Sequence, residues 1–280
     1  MRTARDEHPT AHPATDVEEQ PFVLLDGQGP VVAVALHEGH AVRPEVGELL
    51  AIGEEERRRE EDPFTGGWTV VGDHRVVARR SRFEVDLNRP PEGAVYRTPE
   101  QAWGLEVWRR PPPAEVVERS MDVHRRFYAR MGELFAELAA RHGRFVVYDL
   151  HSYNHRRGGP GAPPDDPAGS PEVNLGTGSL DRARWTPLVD RLVADLAAHG
   201  LGGRRLDVRE NVRFEGGGFA RWAHATFPAA ACVLAIEWKK TFMDEWTGEP
   251  DAAALAEIPR ALEATVAGAR EELARLGGRP

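Results

Sequence analysis

The chain has 280 residues, 41% of them hydrophobic, with 45 acidic against 36 basic residues and a formal charge of −9. That length accommodates one large α/β domain or two modest ones. The acidic balance, with no basic block, argues against a nucleic-acid surface.

The single cysteine, Cys232, lies in an apolar run and reads as a buried small hydrophobe, so no disulfide framework forms within the chain. No run of about 18 apolar residues is present and the first twenty residues hold no apolar signal core, which leads us to expect a cytoplasmic protein without membrane partners. Residues 1–20, rich in Pro, Asp, Glu and His, read as a disordered tail in which His8 and His12 are solvated. Residues 21–280 read as a single domain.

The first strand-like run, VVAVALHEGH, ends in His37, Glu38, Gly39 and His40. It is not a zinc-protease helix, because the two histidines are three rather than four residues apart and Gly39 lies between them. His37 instead reads as a single ligand on a loop, with a short helix from about Pro44; His40 is either a turn histidine bonded to backbone or a further ligand. The charge run EEERRREED over 54–62 predicts a solvated helix. Its last acid, Asp62, precedes Pro63 and a Thr65-Gly66-Gly67 turn and is either an oxygen ligand or a helix cap.

A strand over about 75–79 leads to Arg82, Asp86, Asn88 and Arg89. Arginine forks here suit a carboxylate-bearing substrate, with surface pairing to Glu84 or Asp86 as the alternative. Residues 90–113, with several prolines, Trp103 and Trp108, form either a site-covering loop or an oligomer contact. The spacing of Val117, Met121, His124, Tyr128, Met131, Phe135 and Leu138 predicts an amphipathic helix over 115–142, with His124 a core histidine.

The apolar run FVVYDLHSYNH predicts a strand over 145–148, with Asp149, His151, Ser152 and His155 clustered at its carboxyl end, where open α/β sheets bind ligands. Residues 156–172, dominated by Gly, Pro and Asp, predict a mobile loop able to serve as a lid. Helices are expected over 181–199 and 251–276. The glycines of Phe214-Glu215-Gly216-Gly217-Gly218 lack the lysine and spacing of a phosphate loop and are expected to let backbone approach substrate, near Arg221. A last strand, AACVLAIEW, delivers Glu237. Three apolar runs that each bring an ionisable residue to a carboxyl end are what a metal-assisted hydrolase needs.

The segment Ser81-Arg82-Phe83 followed by Asp86-Leu87-Asn88-Arg89 resembles a signature of the N-formylglutamate amidohydrolase family. The same Asp-Leu-Asn-Arg piece recurs in aspartoacylase and the succinylglutamate desuccinylases, of zinc-carboxypeptidase type. Leu36-His37-Glu38-Gly39, Asp149-Leu150-His151-Ser152, Asn174-Leu175-Gly176-Thr177, Asn211 through Arg221, and Ile236-Glu237 with Phe242-Met243-Asp244-Glu245 resemble further family motifs in order. The resemblance implies a three-layer α/β/α sandwich around a mostly parallel or mixed sheet, one zinc ion, and hydrolysis of an N-acyl amino acid such as N-formyl-L-glutamate.

It further implies His37, Asp62 and His151 as metal ligands, with Glu61 or His40 as alternatives to Asp62. Glu237 and Arg89 are implied as catalytic, and Arg82, Asn88, Arg89, Arg221 and Asn174 as substrate-binding. Leu36 where the family has Pro, and Phe242 where many members have Tyr, leave the substrate open. A carboxypeptidase-like peptide hydrolase and a non-catalytic binding protein on the same fold are the competing readings. The oligomeric state is not legible.

Overall fold

Residues 20–277 are described by the computed structural model; the tail expected over 1–20 lies outside them except for Gln20. The strands are β1 (Phe22–Leu25), β2 (Val31–Ala35), β3 (His74–Ala78), β4 (Phe145–Tyr153), β5 (Val173–Gly176), β6 (Val208–Glu210) and β7 (Ala231–Lys239). They form one sheet in the order β1-β3-β2-β4-β7-β5-β6. The central strands β3, β2, β4 and β7 run parallel. β1 and β5 pair antiparallel with β3 and β7, and β6 runs parallel to β5, which makes the sheet mixed.

The helices are α1 (Pro44–Gly47), α2 (Glu54–Glu60), α3 (Thr65–Trp68), α4 (Ala114–His142), α5 (Arg182–His199), α6 (Gly218–Thr226) and α7 (Ala252–Arg275). β2 and the first half of β4 are continuously apolar because both faces of the sheet are covered. On one face Val32, Val34, Val147 and Val233 pack against Phe127, Met131 and Phe135 of α4 and Phe219 of α6. On the other, Tyr148, Leu150 and Ile236 pack among Trp185 and Leu188 of α5 and Leu262 and Val266 of α7. The fold is therefore the α/β/α sandwich expected. No described helix is long and apolar enough to cross a membrane.

Several local expectations shift. β4 continues to Tyr153, so His151 stands inside the strand rather than beyond it. β4 and β7 stay in register over nine residues, from Phe145↔Ala231 to Tyr153↔Lys239. Their ladder satisfies the backbone beneath the polar side chains, and nothing forces the strand to end at Asp149. In α4 the buried face also takes in Phe127 and Leu134, while Val117 and Met121 sit at its margin. In α2, Arg57 and Glu60 are buried rather than solvated: Arg57 pairs with Glu61 at the end of the same helix, and Glu60 with Arg157. Residues 90–113 contain two short 3-10 turns, and Tyr96, Ala102 and Val107 pack with Phe83 on Val46, Leu49 and Leu50 in a core of their own.

Candidate active site

Three chain segments converge at the carboxyl ends of β2, β4 and β7. His37 follows β2, His151 lies on β4, and Asp62 is delivered by the turn after α2. That turn is locked by a backbone hydrogen bond from Asp62 N–H to the His37 carbonyl, at 2.9 Å. Two residues on, Phe64 takes a left-handed conformation (φ 73°), a strain that non-glycine residues carry chiefly where surrounding structure imposes it.

The Nδ1 atoms of His37 and His151 lie 3.3 and 3.0 Å from the same Asp62 oxygen, Oδ2, and Ser152 Oγ donates to the other at 3.2 Å. All three residues are buried. Each imidazole is held from behind through Nε2: His37 by Asp86 Oδ1 at 2.8 Å, His151 by Asp149 Oδ1 at 3.0 Å. Asp86 is itself anchored by Arg82 Nη2 at 2.9 Å, by the Asn88 backbone N–H at 2.8 Å and by the Tyr96 hydroxyl.

Charge follows geometry. Burial alone would raise the Asp86 carboxyl, yet Arg82 and His37 hold it well below the ordinary range. For Asp62 burial is likewise overcome, here by hydrogen bonds from His151 and His37. Burial disfavours a charged His151, but Asp149 and Glu237 hold its pKa well above the ordinary value.

A ring with carboxylates at both nitrogens is either an imidazolium or one that gives up its Nδ1 proton to bind a cation there. Ligand atoms of His37, Asp62 and His151 all lie within 4.8 Å of one another. Two imidazoles and a carboxylate, each imidazole oriented by a second carboxylate, fit a divalent metal of the zinc type.

Glu237 stands directly beside His151 across the β4–β7 ladder, at the floor of the same cleft. It has no ion-pair partner within 4 Å among the described residues. Burial pushes its carboxyl up to about 7, against the pull of His151. No ion pair joins Glu237 to Lys240. Lys240 is buried with Nζ on the carbonyls of Arg59 and Glu61, at 2.6 and 2.7 Å, and burial lowers it to about 8.

The cleft is a cavity of about 690 Å³ whose walls carry Arg82, Arg89, Arg157, Arg213, Arg221 and Lys240. These cations differ in what they already hold. Arg157 forks onto Glu60, at 3.3 and 2.9 Å. Arg89 is 3.8 Å from Asp86, and Arg221 is exposed with one bond, to the Gly216 carbonyl at 3.0 Å. Arg82 borders the cleft, but it is buried against Asp86, Tyr96 and the Glu60 carbonyl, under the Trp103 ring. Arg82 thus stands on the cleft wall, as expected, with its fork already engaged by Asp86 and Tyr96.

Asn174 does not line the cleft, against the substrate contact expected for it. Its side chain is fully buried and turned toward the 212–214 backbone, accepting from the N–H groups of Val212 and Arg213 and donating to the Phe214 carbonyl. It shapes the cleft wall rather than lining it. Glu61 and His40 bond each other at 2.6 Å, and the carboxylate that meets both His37 and His151 is Asp62.

His124 is a core residue, with Nε2 on the Arg89 carbonyl at 3.0 Å, and His155 does not line the cleft. Gly216 and Gly217 line the cleft, and Gly217 and Gly218 also admit Asn88 and Arg89: a Cβ on Gly217 would stand 2.1 Å from Asn88 Oδ1. The roles of Asp86, Asp149, Arg213 and Lys240 escaped the sequence reading. For Asp86 and Asp149 the signal was their place inside the two motifs that supply Asn88 and His151.

The sandwich and its cleft define a hydrolase built on an open α/β sheet, with chemistry at the carboxyl ends of parallel strands. The N-formylglutamate amidohydrolase family model matches residues 29–243, and the chain belongs to that family of amide hydrolases. Among solved structures it is similar to N-formylglutamate amidohydrolase from Ralstonia eutropha JMP134, with a TM-score of 0.70 and 19% identity over 91% of this chain and 98% of that one. It is also similar to gene product Atu2144 from Agrobacterium tumefaciens, with a TM-score of 0.59 and 20% identity over 90% and 97%. At such identities these likenesses speak to the fold. No curated protein matches the chain.

Proposed function

We propose that the chain is a zinc-dependent amidohydrolase that cleaves an N-formyl, or related N-acyl, amino acid such as N-formyl-L-glutamate to formate and the free amino acid. The observation that carries this reading is the convergence of His37 Nδ1 and His151 Nδ1 on Asp62, beside a Glu237 without an ionic partner. Held by His37, Asp62 and His151, zinc supplies Lewis acidity, which lowers the pKa of a water from near 16 to about 7 and polarises an acyl carbonyl.

Glu237, raised to about 7, is matched to accept the proton of an attacking water near neutral pH and hand it to the departing nitrogen. Arg89 stabilises the charge that develops on the acyl oxygen, an effect of about 3 kcal/mol for a well-aimed donor. Asn88 and Arg221 bind the main-chain carboxylate of the substrate, and Arg82, through Asp86, keeps His37 oriented. Arg89 and Arg221, cations that line the cleft and are not buried, favour an anionic substrate over a neutral one.

The test is metal content of the purified protein together with formate release from N-formyl-L-glutamate, before and after chelation and zinc restoration. About one zinc per chain and chelator-sensitive release are expected. Zinc without release from any N-acyl amino acid would defeat the assignment.

A further inference from the structure

Arg213 differs from the other cations of the cleft in how it is mounted and in what it holds. Its guanidinium lies over the ring of Tyr153, 5.0 Å from the centroid, and near that of Phe214, at 5.9 Å. Nη2 donates to the Asn154 carbonyl at 3.4 Å. Its backbone N–H is fixed by the buried Asn174 side chain, at 2.8 Å. Tyr153 ends β4 two residues after His151 and Asn154 follows it, so the guanidinium lies against the end of the strand that carries His151.

Among the described residues its carboxylate partner is Asp165, Oδ2 at 2.7 Å from Nη1. Asp165 comes from the Gly- and Pro-rich segment 156–172, and its side chain is 34% exposed against 21% for Arg213. The contact uses one nitrogen of a fork that fits a carboxylate with two. A partly exposed, single-contact ion pair is weak, and a carboxylate that engages both nitrogens displaces it readily.

We propose that Arg213 is the residue that reads a carboxylate on the substrate's side chain, and that Asp165 is an internal carboxylate seated there, which the substrate displaces. This rests on the amidohydrolase reading for its chemistry, but not for its binding. The neighbouring cations are engaged otherwise: Arg157 already forks onto Glu60, and Lys240 is committed to two carbonyls. Removing Asp165 then strengthens binding of an acidic ligand, the opposite of what loss of a merely structural ion pair does. Arg213 is a specificity determinant, and Asp165 sets how strongly it discriminates.

The experiment compares the wild type with Arg213→Met, Arg213→Lys and Asp165→Asn in two measurements. The first is the ratio of kcat/KM for N-formyl-L-glutamate over N-formyl-L-glutamine. The second is calorimetric binding of glutarate, which has no scissile bond. Arg213→Met is expected to lower the ratio by at least about tenfold, mostly through KM, with Arg213→Lys in between. Asp165→Asn is expected to lower the KM for the acidic substrate and tighten glutarate several-fold.

If no N-formyl amino acid is cleaved but glutarate follows this pattern, the amidohydrolase reading fails while the assignment of Arg213 stands. Glutarate binding that is absent, equal in all four proteins, or weakened by Asp165→Asn overturns the proposal. So does an unchanged kcat/KM ratio in Arg213→Met.

Discussion

His37 and Asp86 are joined at 2.8 Å, Nε2 to Oδ1, in a buried contact that ties the first strand of the site to the Asp-Leu-Asn-Arg segment forty-nine residues later. Asp86 does not line the cleft. It holds the imidazole so that Nδ1 points to Asp62, and Arg82 and Tyr96 hold Asp86 in turn. The mirror arrangement, Asp149 behind His151, makes the site symmetric in its chemistry, although the two aspartates come from unrelated motifs.

Asp86→Asn keeps the shape of that contact and removes its charge. Zinc affinity is expected to fall by about 10- to 100-fold, as for other carboxylates that orient a ligand histidine. The buried Arg82 guanidinium also loses its partner, so a stability loss on the order of 3 kcal/mol is expected alongside. A competition titration with a chelating dye and a denaturant melt measure the two effects separately. Unchanged zinc affinity with lowered stability would mean that Asp86 serves the fold and not the metal.

Glu237→Gln should retain zinc and lose most turnover, since the amide accepts no proton. Its effect on stability runs the other way. The folded protein raises this carboxyl to about 7 from an ordinary value of 4.5, chiefly by burial. The folded state therefore binds the proton more tightly than the unfolded one, and stability is full below the unfolded value and lost as pH rises through about 7. In metal-free protein Glu237→Gln is expected to be more stable than wild type at pH 8 by up to about 2 kcal/mol and nearly equal at pH 4.5. Chemical melts at both pH values decide it; an advantage equal at both would show that ionisation is not its source.

Much of this site was legible because chemistry-bearing residues sit where apolar runs stop. His37, His151 and Glu237 each end or nearly end such a run, and Asn88-Arg89 sits in a short motif ahead of a double proline. What stayed hidden depends on register and on contacts between distant segments. Nothing local says that Asn174 faces a loop, that Lys240 turns from Glu237 to the carbonyls of residues 59 and 61, or that Arg213 meets Asp165 across 48 positions. Short strands β1, β5 and β6, of three or four residues, give no periodicity to read. Their existence follows from pairing with longer neighbours.

The approach of α6 to the Asn88 segment offers a steric test. Gly217 has an extended backbone, φ −95° and ψ −162°, which alanine adopts without strain. Its added Cβ, however, would lie 2.1 Å from Asn88 Oδ1 and 2.3 Å from Nδ2. Gly217→Ala should therefore displace Asn88, lower stability by about 1–3 kcal/mol and weaken substrate binding. Gly132, within α4, has open space where a Cβ would stand, with nothing inside 4 Å, and Gly132→Ala should stabilise by up to about 1 kcal/mol. Equal melting temperatures for the two variants would contradict the crowding at Asn88.

His224 in α6 gives the acid side of the stability curve. It is buried, with Nε2 accepting from the Val233 backbone N–H at 3.0 Å and Nδ1 facing Ser179 Oγ at 2.8 Å. Protonating Nε2 would set two donors against each other, and burial already lowers its pKa to about 4. The unfolded chain binds this proton near 6.5 and the folded one only near 4, so stability is full above 6.5 and drains away as pH falls toward 4. The whole effect is on the order of 2–3 kcal/mol. His224→Gln offers a carbonyl to the same N–H without titrating. The advantage of wild type over this variant should be largest near pH 7.5 and shrink steadily by pH 4.5. A difference that stays constant over that range would show that the His224 proton plays no part in acid unfolding.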